Sequence, residues 1–497
     1  MLSGFAAIAE SAWMGVAQAS DVLEVLNVVR PRGGRFALRL PRLQLRGILT
    51  RELTIAEASF VLMSSFFFSA LLGAVRQILF NAQFGAGMEA SAYYAAFRLP
   101  DTLFSLIAGG ALSSAMIPVL LSTVQEEGEE AGSRLSSLVL NLLLAAFAFI
   151  VLVGEFLTPT FVNHVLAPGF DASTSSLTVG LTRVMLLQPV VLAVGSVATA
   201  VLNSRNRFIL TAASIASHNI GLIAGVLATR VHPSLGIYGP AFGVVAGAVL
   251  QVIILLPGLV GSRFRYRPAL NFRDPRLRQV VGLLIPNGLA VGVGYGGFIV
   301  DTAFASRSSQ AGALPALQNA FLLVGLPIAL LGQAVGQSAF PRLAAYAASA
   351  EWRRMRQTLL RALLSAVGLA LPALLVLIFL GRPVIRILFE HGKFGSGAGA
   401  LTYQVLGTYA VALPAYVATE VVVRGLIALR DTRTPFISNS VGLAGRVIIM
   451  TVLVARLGVI AIPLAFAVMA AAEALWLGVI LLFKVQRRFS LSLVPVT

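Results

Sequence analysis

The chain is 497 residues long, 58% hydrophobic and only 11% charged, with a mean hydropathy of +0.88; soluble globular chains carry about a quarter charged residues, so this is a polytopic membrane protein. With no cysteine, it has no disulfide, thiolate metal site or cysteine nucleophile. The formal net charge of +17 has to be placed along the chain before it says anything about partners.

In chain order, the first nineteen residues are mildly apolar but contain Glu10 and no basic n-region, unlike a secretory signal. Seven arginines follow, from Arg30 to Arg51, so residues 1–53 read as a basic cytoplasmic extension, either holding the N-terminus inside or forming a tail without that role. Apolar runs of roughly 20 residues or more, enough to cross a ~30 Å hydrocarbon core, then fall at 54–81, 90–123, 135–160, 175–202, 207–229 and 236–260. A second six fall at 278–305, 311–341, 357–381, 399–428, 435–456 and 459–483. The expected fold is therefore all-α: twelve transmembrane helices in two parallel six-helix lobes, 54–260 and 278–483, around a central cavity. A cytoplasmic linker, 261–277, joins the lobes, and a cytoplasmic tail, 484–497, ends the chain.

The two sets of six resemble each other. "GGALSSAMIPVL" from Gly109 is echoed by "GQAVGQSAFPRL" from Gly332, an offset of 223 that also aligns Pro118 with Pro341; Pro240 matches Pro463 at 223 and Pro189 matches Pro414 at 225. With both termini inside, and with basic residues near the span ends counted with the adjoining segments, 26 of the 37 Lys and Arg are cytoplasmic and only six outward. That positive-inside bias accounts for most of the net charge without nucleic acid. The four histidines make no metal-ligand spacing and no phosphate loop is present, so neither a metal nor another cofactor is expected.

Ionisable groups inside spans each cost at least about 2.5–3.5 kcal/mol on insertion scales, so each calls for a partner, a wet cavity or a function. They are Arg76, Arg98, Asp101, Glu155, Arg183, Asp301, Glu420, Arg424, Arg446 and Glu473. Arg98 and Asp101 straddle Pro100 and share a helical face: either a self-neutralising pair or part of a binding site. Glu420 and Arg424, four apart, pair in the same way. Arg76, Arg183 and Arg446 have no nearby opposite charge in sequence. Unpaired arginines outnumber unpaired carboxylates, and the guanidinium fork suits phosphate, which points to an anionic ligand at Arg76, Arg98, Asp101 and Arg183. Asp301, Glu420, Arg424, Arg446 and Glu473 are left as coupling or lobe pairs.

The stretch "SALLGAVRQILFNAQFGAGMEASAYYAAFRLPDTLFSLIAGGALSSAMIPVL", residues 69–120, resembles the first two spans of the MviN/MurJ family of the multidrug/oligosaccharidyl-lipid/polysaccharide superfamily, and the likeness continues at "APGF", "LNSRNRF", "LPIALLGQAVGQSAFPRL" and "LFEHGKF". The resemblance covers essentially everything after residue 54. It implies a two-lobed flippase, not an enzyme, in the bacterial cytoplasmic membrane, carrying undecaprenyl-diphosphate-linked peptidoglycan precursor outward by alternating access, driven by membrane potential or an ion gradient. Implied partners are the lipid-linked anionic substrate, membrane lipids and cell-wall synthesis proteins. Arg76 and Arg98 keep family positions, whereas other charges usual in the family fall on Ala70, Ser91, Phe104, Ser105, Gly109 and near Leu322. Two alternatives stay open: a transport-dead scaffold in envelope or polysaccharide assembly, and a flippase for another polyprenyl-linked oligosaccharide. The resemblance, together with the arginine excess of the first lobe, implies that the cavity is net basic and walled by spans one, two, seven and eight, with Asp101 shielding Arg98 when no anion is bound.

Overall fold

The structure, a computed structural model, describes residues 53–108, 111–260, 264–269 and 271–492. The basic stretch up to residue 52 lies outside them. The described residues fall in one compact unit, Leu49–Thr497, and contain no strand. The helices are α1 (Ile55–Phe84), α2 (Met88–Ala108), α3 (Ala111–Glu127), α4 (Glu129–Phe161), α5 (Ala172–Met185), α6 (Leu187–Asn203), α7 (Phe208–Val231), α8 (Tyr238–Val260), α9 (Pro275–Ser306), α10 (Ala313–Pro327), α11 (Ala334–Ala348), α12 (Trp352–Leu388), α13 (Ser396–Ala428), α14 (Arg433–Leu457) and α15 (Ala461–Ser492).

Local sequence explains the boundaries. Thr54 and Glu57 form a reciprocal capping box that starts α1. Asp274 accepts from the backbone of Arg276 and Leu277 while Pro275 occupies the first turn, so α9 begins three residues before its apolar run. Gly85, with φ +67°, ends α1. Asp171 caps α5 in the same way, and its bonds to Ser173 and Thr174 hold its carboxyl well below the usual carboxylate range.

Among the described residues, ten stretches are long and apolar enough to cross a membrane, fewer than the twelve expected. One of them, Arg433–Arg488, holds both α14 and α15 around a 3-10 turn at Gly458–Ile460, and α9 is not among the ten. Large apolar side chains such as Phe60 (72% exposed) and Phe156 (77%) cover the outside of the bundle. Water would not tolerate such a surface, and lipid does.

Among the described residues, three larger cores organise the helices. One is built by α3, α4, α6 and the start of α9, around Leu112, Phe147, Val197 and Leu277. Another is built by α11, α12, α13 and α15, around Leu343, Met355, Val421 and Leu477. The largest joins both halves of the chain, bringing Phe80 and Tyr94 together with Leu317, Phe389 and Val405. It lies at the end of the bundle where Gly85 meets the backbone of Lys393. The opposite end carries a charged cluster: Arg205 pairs with Glu129 at 2.5 Å, Arg267 with Glu130 at 2.6 Å, and Arg276 with Glu126 and Glu127, tying the inter-half linker to the α3–α4 turn.

Helices α7 and α8 touch backbone to backbone through Gly221, Gly225, Gly239, Gly243 and Gly247. Any side chain there must push the helices apart. Gly225→Leu is expected to destabilise the fold by about 1–3 kcal/mol, as overpacking of a filled interface does. Thermal unfolding of the detergent-solubilised protein checks this, since an unchanged midpoint would mean that the two helices part freely.

Candidate binding cavity

Arg76 and Arg98 converge on one cavity. It measures about 40 Å³ and is walled by Arg76 and Gln77 of α1, Tyr94 and Arg98 of α2, Val226 of α7 and Gln318 of α10. Arg76 donates from Nη1 to Asn219 Oδ1 at 3.1 Å, and Asn219 in turn donates to the backbone and hydroxyl of Ser69, each at 3.0 Å. Arg98 donates from Nη2 to Gln318 Oε1 at 3.0 Å and from Nε to Thr302 Oγ1 at 3.3 Å, with its guanidinium 5.3 Å from the Phe298 ring centre. Every one of these partners is neutral. Among the described residues, the two cations are held in place without a contacting carboxylate, an arrangement suited to an anion.

Two details differ from the sequence expectation. Asp101 makes no direct ion pair with Arg98 among the described residues: the long arginine side chain reaches across to α9 and α10 instead of along its own helix, and the carboxylate acts on it through space, not by contact. The cavity wall includes α7, the fifth expected span, while α9, the seventh, contributes through its contacts to Arg98. A volume of 40 Å³ holds about one water, far less than a diphosphate-linked saccharide fills.

Arg183 is not at this cavity. Its Nε lies 3.2 Å from the Glu155 carboxylate, and its guanidinium also donates to the Glu155 carbonyl at 2.8 and 3.2 Å, a half-exposed pair between α4 and α5. Its partner lies 28 residues away, beyond the i+3 or i+4 neighbours that sequence reading examines. Arg446 of α14 pairs with Asp301 of α9, both side chains largely buried, and stacks 5.3 Å from the Phe466 ring centre. It also lines a second cavity, of about 80 Å³, together with Glu473, Asn439 and Tyr416. Glu420 and Arg424 pair along α13 at 3.8 Å, and Gly332 and Gly336 let the π-helical turn Ile328–Gln333 and α11 lie directly on them. Among the described residues, no three His, Asp or Glu gather in a group that would hold a metal.

A polar cluster that attention to charges overlooks sits beside Arg76. Gln77 and Asn81 of α1, Tyr94 of α2 and Asn319 of α10 form one hydrogen-bonded group, with Gln77, Asn81 and Asn319 at most 2% exposed. The signal was the spacing of Gln77 and Asn81, two amides four apart on one face of an otherwise apolar helix.

The family model described as lipid II flippase MurJ matches residues 80–494. The chain belongs to the MurJ family. Members of this family are transporters, not enzymes. The MurJ of Burkholderia cenocepacia is 30% identical over 373 residues, covering 74% of this chain and 72% of that one. A probable MurJ of Rhizobium meliloti is 28% identical over 387 residues, covering 76% and 71%. The solved structure of a MurJ in an inward closed conformation superposes with a TM-score of 0.73 at 24% identity, covering 86% of this chain and 87% of that one. An inward-facing multidrug MATE family transporter of the MOP superfamily gives the same TM-score at 12% identity, covering 90% and 98%, so the all-α architecture is common to both. Three positions where the sequence resemblance implies a charge carry neutral groups here: Ser91 bonds the Gly87 carbonyl at 3.0 Å, Ser105 is buried, and Leu322 packs against the shared core.

Proposed function

We propose that this protein moves lipid II across the bacterial cytoplasmic membrane by alternating access between two lobes, residues 54–260 and 278–483. The observation that carries the reading is the convergence of Arg76 and Arg98, with neutral partners only, on one cavity at the junction of α1, α2 and α10. A diphosphate in a low-dielectric interior needs accompanying cations, and two arginine forks supply them with directed hydrogen bonds. In this reading the end bearing Arg205, Arg267 and Arg276 faces the cytoplasm with both termini, and the Gly85 end faces outward, which the excess of Lys and Arg favours. Membrane potential or an ion gradient supplies the driving force without a cofactor, and cell-wall synthesis proteins are the partners.

Expression in a strain depleted of its own lipid II flippase tests the proposal: growth should be restored. Normal membrane levels without rescue would overturn it. That outcome would favour a scaffold in envelope assembly, a reading supported by the neutral residues Ser91 and Ser105 at family charge positions, or a flippase for another polyprenyl-linked oligosaccharide.

A further inference from the structure

We propose that Gln77 couples occupancy of the Arg76–Arg98 cavity to the seal between the two halves at the Gly85 end; the inference rests on the transport reading above. Gln77 belongs to both structures at once. Its side chain is part of the cavity wall, next in sequence to Arg76, and its Nε2 donates to Tyr94 Oη at 2.6 Å, Asn319 Oδ1 at 2.8 Å and Asn81 Oδ1 at 3.2 Å. An amide nitrogen has two hydrogens, so three acceptors compete for them and the cluster has more than one arrangement.

The cluster crosses the junction of the halves. Asn81 Nδ2 donates to Asn319 Oδ1 at 2.9 Å, tying α1 to α10, and both residues are completely buried. Beyond it the seal continues through backbone and hydroxyl groups. Lys393 N donates to the Ala82 carbonyl at 2.8 Å, and Gly169 N donates to Ser306 Oγ at 3.1 Å. Gly312 and Gly392, with φ of +81° and +58°, allow the second-half loops to approach Ala86 and Ala82.

A phosphate oxygen is a stronger acceptor than an amide carbonyl. An anion drawn between Arg76 and Arg98 competes for the Gln77 donor at the same wall. Once that donor turns into the cavity, Asn319 Oδ1 keeps only Asn81 Nδ2 and Asn81 Oδ1 keeps only the 3.4 Å bond from Asn319 Nδ2, so the pair that joins α1 to α10 is held by fewer hydrogen bonds in a buried site, where each one lost is costly. The seal then weakens when the cavity is filled and holds when it is empty.

The natural chain has no cysteine, so Ala172→Cys and Ser309→Cys, both at exposed positions across the Gly169–Ser306 junction, give a clean pair for spin labelling. Pulsed electron paramagnetic resonance in nanodiscs measures their separation with and without undecaprenyl diphosphate. The parent should show one short distance, with a longer population appearing on addition of the lipid. Gln77→Leu should show the longer population without lipid and respond to it at least tenfold less. A Gln77→Leu protein that keeps the single short distance, or one that responds to lipid as the parent does, would overturn the coupling. Should Gln77→Leu not accumulate, Tyr94→Phe is read by the same criteria, with a partial longer population expected. Lipid binding is followed in parallel by thermal shift. If undecaprenyl diphosphate does not bind the parent, the transport reading falls, while opening by Gln77→Leu still marks the amide cluster as the seal.

Discussion

Arg98→Ala is expected to abolish growth rescue in a flippase-depleted strain while the protein still accumulates in the membrane. Arg98 brings the guanidinium that crosses from α2 to Thr302 and Gln318, so it is placed by both halves and belongs to neither alone. A hydrogen bond to a charged group contributes about 1.5–3 kcal/mol, and the lost compensation for a moving diphosphate adds to that. Arg76→Ala, which removes the second cation, should fail in the same assay. Arg98→Lys should not rescue, because an ammonium cannot present a flat face to Phe298 while donating to two acceptors in a fork. Asp101→Asn should be milder than either alanine change, since Asp101 makes no direct ion pair with Arg98 and its loss leaves both cations in place. Rescue by both alanine variants at the level of the natural chain would remove the phosphate-binding role from these arginines.

A second large effect is expected from Arg446→Ala. Its partner Asp301 is 9% exposed, and stripping the cation leaves a buried carboxylate uncompensated. Breaking such a pair costs about 3–5 kcal/mol, whereas replacing both members with neutral groups of similar volume is often neutral. The double variant Asp301→Asn with Arg446→Leu should therefore recover much of the stability that the single variant loses. Thermal unfolding in detergent gives the comparison. A single variant that melts like the natural chain would show that the pair contributes nothing to the fold.

The polytopic all-helical architecture was legible because lipid imposes a simple rule: a span is a long apolar run, and every such run shows in the sequence. The turn and cap residues Thr54, Gly85 and Asp274 refine the boundaries by a few residues. Partners across the bundle were not legible. Arg446 and Asp301 are 145 residues apart, and Arg183 reaches Glu155 on a different helix, so no helical spacing connects either pair. The i, i+3 rule placed Asp101 near Arg98, but the groups that Arg98 bonds directly, Thr302 and Gln318, lie on other helices. The amide cluster escaped because an apolar helix was searched for charges, and neutral amides at one-turn spacing carry no such flag. Arg76 and Arg98 were recognisable through their sequence surroundings, although their meeting at one cavity depends on α7 and α10, more than a hundred residues further along.

The ion pairs that bind the linker to the α3–α4 turn give the two ends of the molecule different sensitivities to electrolyte. Glu130 is 79% exposed and Arg267 50%, and the Arg276 pairs open onto the same surface. Exposed pairs of this kind contribute at most about 1 kcal/mol each and are screened over a Debye length of about 8 Å at physiological ionic strength. The far end is joined by neutral amides and backbone groups in a dry core, on which dissolved salt has almost no hold. Raising the ionic strength therefore loosens the start of α9 and leaves the Gly85 end as it was, so the balance between opening on one side and opening on the other is set partly by the electrolyte bathing the charged face.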